Sequence, residues 1–174
     1  MKKVKKTNDK VAPKRKIDVL FDQYAAYHTH PVNVQINWVC IPLITFSVIG
    51  LIWFIPFPHM GFLGKYNGFV NWASFLIALS GYYYYRLSPV LSYMVILFVF
   101  VLALGVVQLE KLEAAGGPAV WMVCGVVFIL SLAGQLVGYK LEGKRPSFIE
   151  YVKFLLIGPI WLLRSIWLRT GLSY

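Results

Sequence analysis

Four apolar stretches of membrane-spanning length dominate this chain, at residues 36–55, 69–85, 90–109 and 119–138. Crossing a hydrocarbon core of about 30 Å takes roughly 20 apolar residues in a helix. In that medium each backbone N–H and C=O has to be satisfied within protein, which favours helices for such runs. The charged share is 14% and the mean hydropathy +0.66, whereas a soluble domain carries about 25% charged residues. The expected fold is therefore all-α, an integral membrane helical bundle. It has four transmembrane helices, an N-terminal amphipathic helix and a C-terminal re-entrant or interfacial helix.

The last of these is read from residues 148–168, where Lys153 and Arg164 leave ten residues between them. That is about 15 Å of helix, half the hydrocarbon thickness. Gly158-Pro159 in its middle predicts a break or kink, since proline removes a donor and crowds the preceding turn. A fifth full span whose two cations snorkel is the other reading of the same residues.

The net charge of +10 does not point to nucleic acid, because eight of the seventeen basic residues fall within residues 1–16. This is a basic tail ahead of the membrane, and residues 17–174 form a single membrane-embedded helical domain. No signal peptide is read, since a short apolar core with a small-residue cleavage site does not follow the tail. Basic residues alternate in excess between loops, which puts the N-terminus, the Arg86 turn and residues 140–146 on the cytoplasmic side. A bacterial inner membrane is the expected location. Ile17, Leu20, Phe21, Tyr24 and His28 recur at helical spacing and predict an amphipathic interfacial helix. Gly134 and Gly138 form a small-xxx-small pair suited to close helix approach, and Tyr82 to Tyr85 suit an aromatic belt. Cys40 and Cys124 both fall in apolar runs and read as small buried hydrophobes.

Chemistry is concentrated in two polar clusters at the ends of apolar runs. One is Tyr27-His28-Thr29-His30-Pro31 with Asn33, Gln35 and Asn37; the other is Gln135, Gly138, Tyr139, Glu142 and Arg145-Pro146. The even number of spans between them brings both to one leaflet. Pro31 disfavours helical geometry at His30, so an extended turn is predicted there. Two imidazoles and a carboxylate are the ligand set of a non-haem Fe(II) centre, and His28, His30 and Glu142 could supply it. Asn33, Asn37 and Gln135 would form a supporting polar shell, or serve only as interhelical hydrogen-bonding groups.

Tyr27-His28, Pro31, Asn33 and Pro42, followed by Gln135, Gly138, Glu142, Arg145-Pro146 and Gly158-Pro159, resemble a family of small membrane proteins first described as a domain of unknown function. Its characterised fungal member is an Fe(II)-dependent 2-hydroxy fatty acid dioxygenase of phytosphingosine α-oxidation. The resemblance implies use of molecular oxygen to shorten a long-chain 2-hydroxy acid by one carbon, with iron held by family histidines. His28 matches one of them directly. Asn37 and Tyr139 stand where the family pattern has histidine, and His30 stands where relatives more often carry asparagine. Tyr139 would bind iron only as a phenolate, as a ferric site allows.

Two readings stand side by side. One is an Fe(II)-dependent dioxygenase with His28, Glu142 and Tyr139 at the reacting centre and His28 and His30 on the metal. The other is a non-catalytic membrane protein that binds lipid or a partner helix, with Asn37, Tyr139 and Gln135 as a hydrogen-bonded plug. A membrane lipid or long-chain fatty acid is the expected ligand, nucleic acid is not, and an oligomer remains open.

Overall fold

The computed structural model describes residues 14–171; of the tail expected over 1–16, residues 1–13 lie outside the described residues. Among the described residues the regular structure is helical. It comprises α1 (Lys16–Ala25), α2 (Pro31–Trp53), a 3-10 segment (Gly61–Phe69), α3 (Trp72–Leu87), α4 (Pro89–Ala114), α5 (Val120–Glu142) and α6 (Phe148–Arg169).

Four of the helices start where the sequence supplies a start. Pro31 opens α2, its fixed φ already helical, and His30 before it is extended at φ −70° and ψ 126°. Pro89 opens α4 in the same way, and the extended Ser88 is the joint between α3 and α4. Asn71 with Ser74 and Ser147 with Glu150 form capping boxes at the starts of α3 and α6. Gly143 ends α5 at φ +70°, a left-handed position that glycine takes without a Cβ penalty.

Four helices are long and apolar enough to cross a membrane: α2, α4, α5 and α6. By length and apolarity α6 joins this set and α3 falls outside it, yet the hydrogen bond from Thr29 ahead of α2 to Glu142 at the end of α5 requires an even number of passes between them, so α3 passes through the bundle as well. The second run forms α3, whose 16 residues span about 24 Å, short of the length the others reach. The C-terminal segment, expected to break at Gly158-Pro159, is instead one helix of 22 residues. The reason lies in the surroundings of the proline turn. Gly158 packs on Ile41 so closely that a Cβ would come 3.1 Å from its side chain. The Tyr84 hydroxyl donates to the Leu156 carbonyl in the turn that the proline weakens. Neighbouring helices thus hold the turn together.

Although long, α6 crosses α2 obliquely. Gly158 meets Ile41 and the Arg169 guanidinium lies over the Trp38 ring. These contacts are about three turns apart on α6 and within one turn on α2. Its outer side runs antiparallel to α1: Phe154 meets Tyr27, Trp161 meets Tyr24, and Arg164 lies over Phe21. The apolar face of α1, with Ile17, Phe21 and Tyr24 buried, is therefore covered by α6.

The centre of the bundle is the antiparallel pair α2 and α5. Gly50 faces Cys124, Gly134 faces Cys40 and Gly138 faces Asn33. At Gly134 an added Cβ would sit 2.8 Å from the Cys40 sulfur, and at Gly138 it would overlap the Asn33 side-chain oxygen. Both cysteines are buried free thiols that fill space against glycine. Leu97, Ile129 and Leu130 on α4 and α5 remain exposed in the chain alone, the apolar outer face of an integral membrane protein. Replacing Gly138 with alanine should destabilise the bundle by about 1–3 kcal/mol through overpacking. Gly125→Ala, which meets open space, should be close to neutral; thermal unfolding in detergent distinguishes the two.

Candidate functional site

The turn between α1 and α2 folds His28 back under the chain that carries it. Its backbone N–H donates to the Ala25 carbonyl, and its Nδ1 lies 2.7 Å from the Tyr24 carbonyl oxygen. A carbonyl can only accept, so Nδ1 carries the proton and Nε2 presents a bare lone pair. The ring stacks on Tyr24 at 4.0 Å between centroids and 6° between planes. Tyr139 and Phe154 meet it edge to face and Trp161 is tilted against it, with centroids 5.6 to 6.2 Å away. His28 is only 5% exposed, and its Nε2 has no hydrogen-bond partner.

Burial pushes the His28 pKa below its ordinary value, against smaller opposing effects of the Tyr24 carbonyl and the Glu142 charge. The imidazole is thus neutral at neutral pH. An unpaired buried polar atom normally costs about 1–3 kcal/mol, so this nitrogen is the site's most conspicuous unused group.

Glu142, the last residue of α5, fastens the turn. Its Oε1 accepts from the Thr29 backbone N–H at 2.9 Å and from the Thr29 hydroxyl. Its Oε2 accepts from the His30 N–H at 2.9 Å and from Asn33 Nδ2 at 3.0 Å. The flanking Lys140 and Lys144 are not among these partners; Lys144 donates instead to the Ala26 carbonyl. From Glu142 the polar chain runs inward. Asn33 also donates to the Tyr27 carbonyl, Asn37 donates to the Asn33 carbonyl and side-chain oxygen, Gln135 donates to Asn37, and Tyr151 donates to Gln135. Asn33, Asn37 and Gln135 are all buried. The polar shell is therefore an interhelical hydrogen-bond ladder joining α2, α5 and α6.

His30 is half-buried, and its Nδ1 accepts the Val32 N–H at 3.3 Å, capping α2. Tyr139 is buried with its ring between those of His28 and Tyr151. Gln35 is exposed. The structure thus joins His28 to Tyr139 by ring contact, and Glu142, Asn33, Asn37 and Gln135 by hydrogen bonds, with His30 entering that network through its backbone. Among the described residues no three His, Cys, Asp or Glu side chains converge as they stand. Tyr24, Thr29, Tyr151, Phe154 and Trp161 also build the site. Two of these had a signal in the sequence: Tyr24, four residues before His28 on the apolar face of α1, and Thr29, within the first polar cluster.

Because the folded state lowers the His28 pKa, the unfolded chain takes up a proton at higher pH than the folded one. The stability His28 contributes is fully present above about pH 6.5 and falls as pH drops below it toward the folded value. His28→Phe, which preserves stacking, should flatten the decline seen between about pH 7 and 5 in detergent unfolding; an unchanged slope would contradict the assignment.

A family model described as 2-hydroxy-palmitic acid dioxygenase Mpo1-like matches residues 15–169. No curated protein and no solved structure matches the chain. The match takes in all six α-helices in full, together with both polar clusters, so this chain belongs to the Mpo1-like family.

Proposed function

We propose that the chain is an Fe(II)-dependent membrane dioxygenase acting on a long-chain 2-hydroxy fatty acid. The observation that carries this reading is the His28 Nε2, buried, unprotonated and unpartnered, with Nδ1–H anchored on a backbone carbonyl. Metal-binding imidazoles are oriented in this way by a hydrogen bond to the other nitrogen. Family membership over residues 15–169 supports the same reading.

The donor chemistry fits iron at His28 as it stands. His30 and Glu142 would complete a two-imidazole, one-carboxylate set, and they already meet through the His30 N–H. For them to do so, the His30 ring has to leave the Val32 N–H, and Glu142 has to release one of its four donors. Bound there, Fe(II) would supply the oxygen chemistry. The chain's own part is to hold the His28 lone pair forward and keep bulk water from it with Tyr24, Tyr139, Phe154 and Trp161. Glu142 fixes the turn that carries both histidines. The basic tail, Lys140, Lys144 and Arg145 belong by this reading to the cytoplasmic side, in an inner membrane.

The second reading, a non-catalytic lipid- or partner-binding protein, has its own support. Asn37 and Gln135 are hydrogen-bonded to each other as the core of a plug. The two readings separate on iron. Protein reconstituted anaerobically with Fe(II) should hold about one iron per chain and consume oxygen with 2-hydroxy fatty acids. His28→Ala should lose both while its unfolding transition persists. Iron and oxygen uptake unchanged in that variant would reject the assignment.

A further inference from the structure

Between the end of α5 and the start of α6 lies an open groove of about 480 Å³, within the range of about 300–1,000 Å³ of small-molecule sites. Its walls are mostly apolar, from Leu136, Val137, Pro146 and Phe148, with Tyr139 and Tyr151 also lining it. Two cations, Lys140 and Arg145, are its only charged lining residues. Both are exposed, and neither has an acidic partner among the described residues. The nearby acids are engaged elsewhere: Glu142 by Thr29, His30 and Asn33, and Glu150 by Ser147 and Tyr27. Tyr139 is the wall shared with the His28 chamber, since its ring meets His28 on one side and the groove on the other.

A groove with two unpaired cations and exposed apolar walls is complementary to an anionic head on an apolar chain. Arginine suits a carboxylate in particular, because its planar fork matches two oxygens. We propose that this groove receives the carboxylate end of a long-chain fatty acid, held by Lys140 and Arg145, with the start of the chain along Leu136, Val137 and Phe148. The proposal rests on the reading of the site as one for a fatty acid and names where that acid docks. A water-soluble anion would leave Leu136, Val137 and Phe148 uncovered, whereas an acyl chain buries them.

The test uses the full chain in phosphatidylcholine nanodiscs and compares binding of a long-chain 2-hydroxy fatty acid with that of the matching long-chain alcohol. The double variant Lys140→Gln with Arg145→Gln should weaken acid binding at least about tenfold, as loss of charge-assisted hydrogen bonds does, and leave alcohol binding unchanged. Lys140→Arg with Arg145→Lys should restore it. Equal acid affinity in parent and double variant, or an equal drop for the alcohol, overturns the proposal. Displacement of the acid by phosphatidylglycerol at equal mole fraction overturns it in favour of an anionic phospholipid site. A parent protein that binds the acid through these cations yet retains no iron would reject the dioxygenase reading and leave this one standing.

Discussion

The Glu142 carboxylate holds the functional end of the bundle together. It sits at the C-terminal end of α5, where glycine ends the helix, and reaches the first donors of the turn leading into α2. Helix N-termini leave backbone N–H groups unsatisfied and carry partial positive charge. A carboxylate there meets both needs at once. Because the same turn carries His28 and His30, the position of both imidazoles follows from this one anchor. Removing its charge would loosen the turn before it disturbed any other part of the chain.

Behind the anchor, the ladder from Asn33 through Asn37 and Gln135 to Tyr151 solves a problem that the membrane imposes. Polar side chains within a bundle are costly unless paired, and here each amide finds partners across or along the helices. Close approach of α2 and α5 is needed for it, and Gly138 opposite Asn33 provides the room. Small residues and polar groups are therefore one device: the glycine lets the backbones approach, and the amides fix their register. Against this satisfied background the vacant valence of His28 Nε2 stands out.

Much of this was legible in the sequence, and the exceptions have physical causes. Apolar length gave the helical class, and Gln135, Gly138 and Glu142 fall at spacings that share a helical face. The Gly134 and Gly138 pair faces α2 closely, as small residues separated by three others suggest. Pro31 correctly placed His30 in an extended conformation. The continuity of α6 through Pro159 was not legible, because it depends on Ile41 and Tyr84, more than 70 residues earlier in the chain. The partners of Glu142 were likewise hidden, because the backbone donors that take its oxygens lie over 100 residues away in the chain. Aromatic enclosure of His28 by Phe154 and Trp161 depends on α6 lying along α1, which no local pattern encodes.

His28 is held as the Nδ1–H tautomer with an unpartnered Nε2. Nitrogen NMR of histidine-labelled protein, with Zn(II) as a diamagnetic probe and His28→Gln to assign the signal, tests it most directly. An unprotonated Nε2 and a protonated Nδ1 are expected at neutral pH, with the Nε2 resonance shifting on addition of zinc. A protonated Nε2, or a resonance indifferent to the metal, would contradict it.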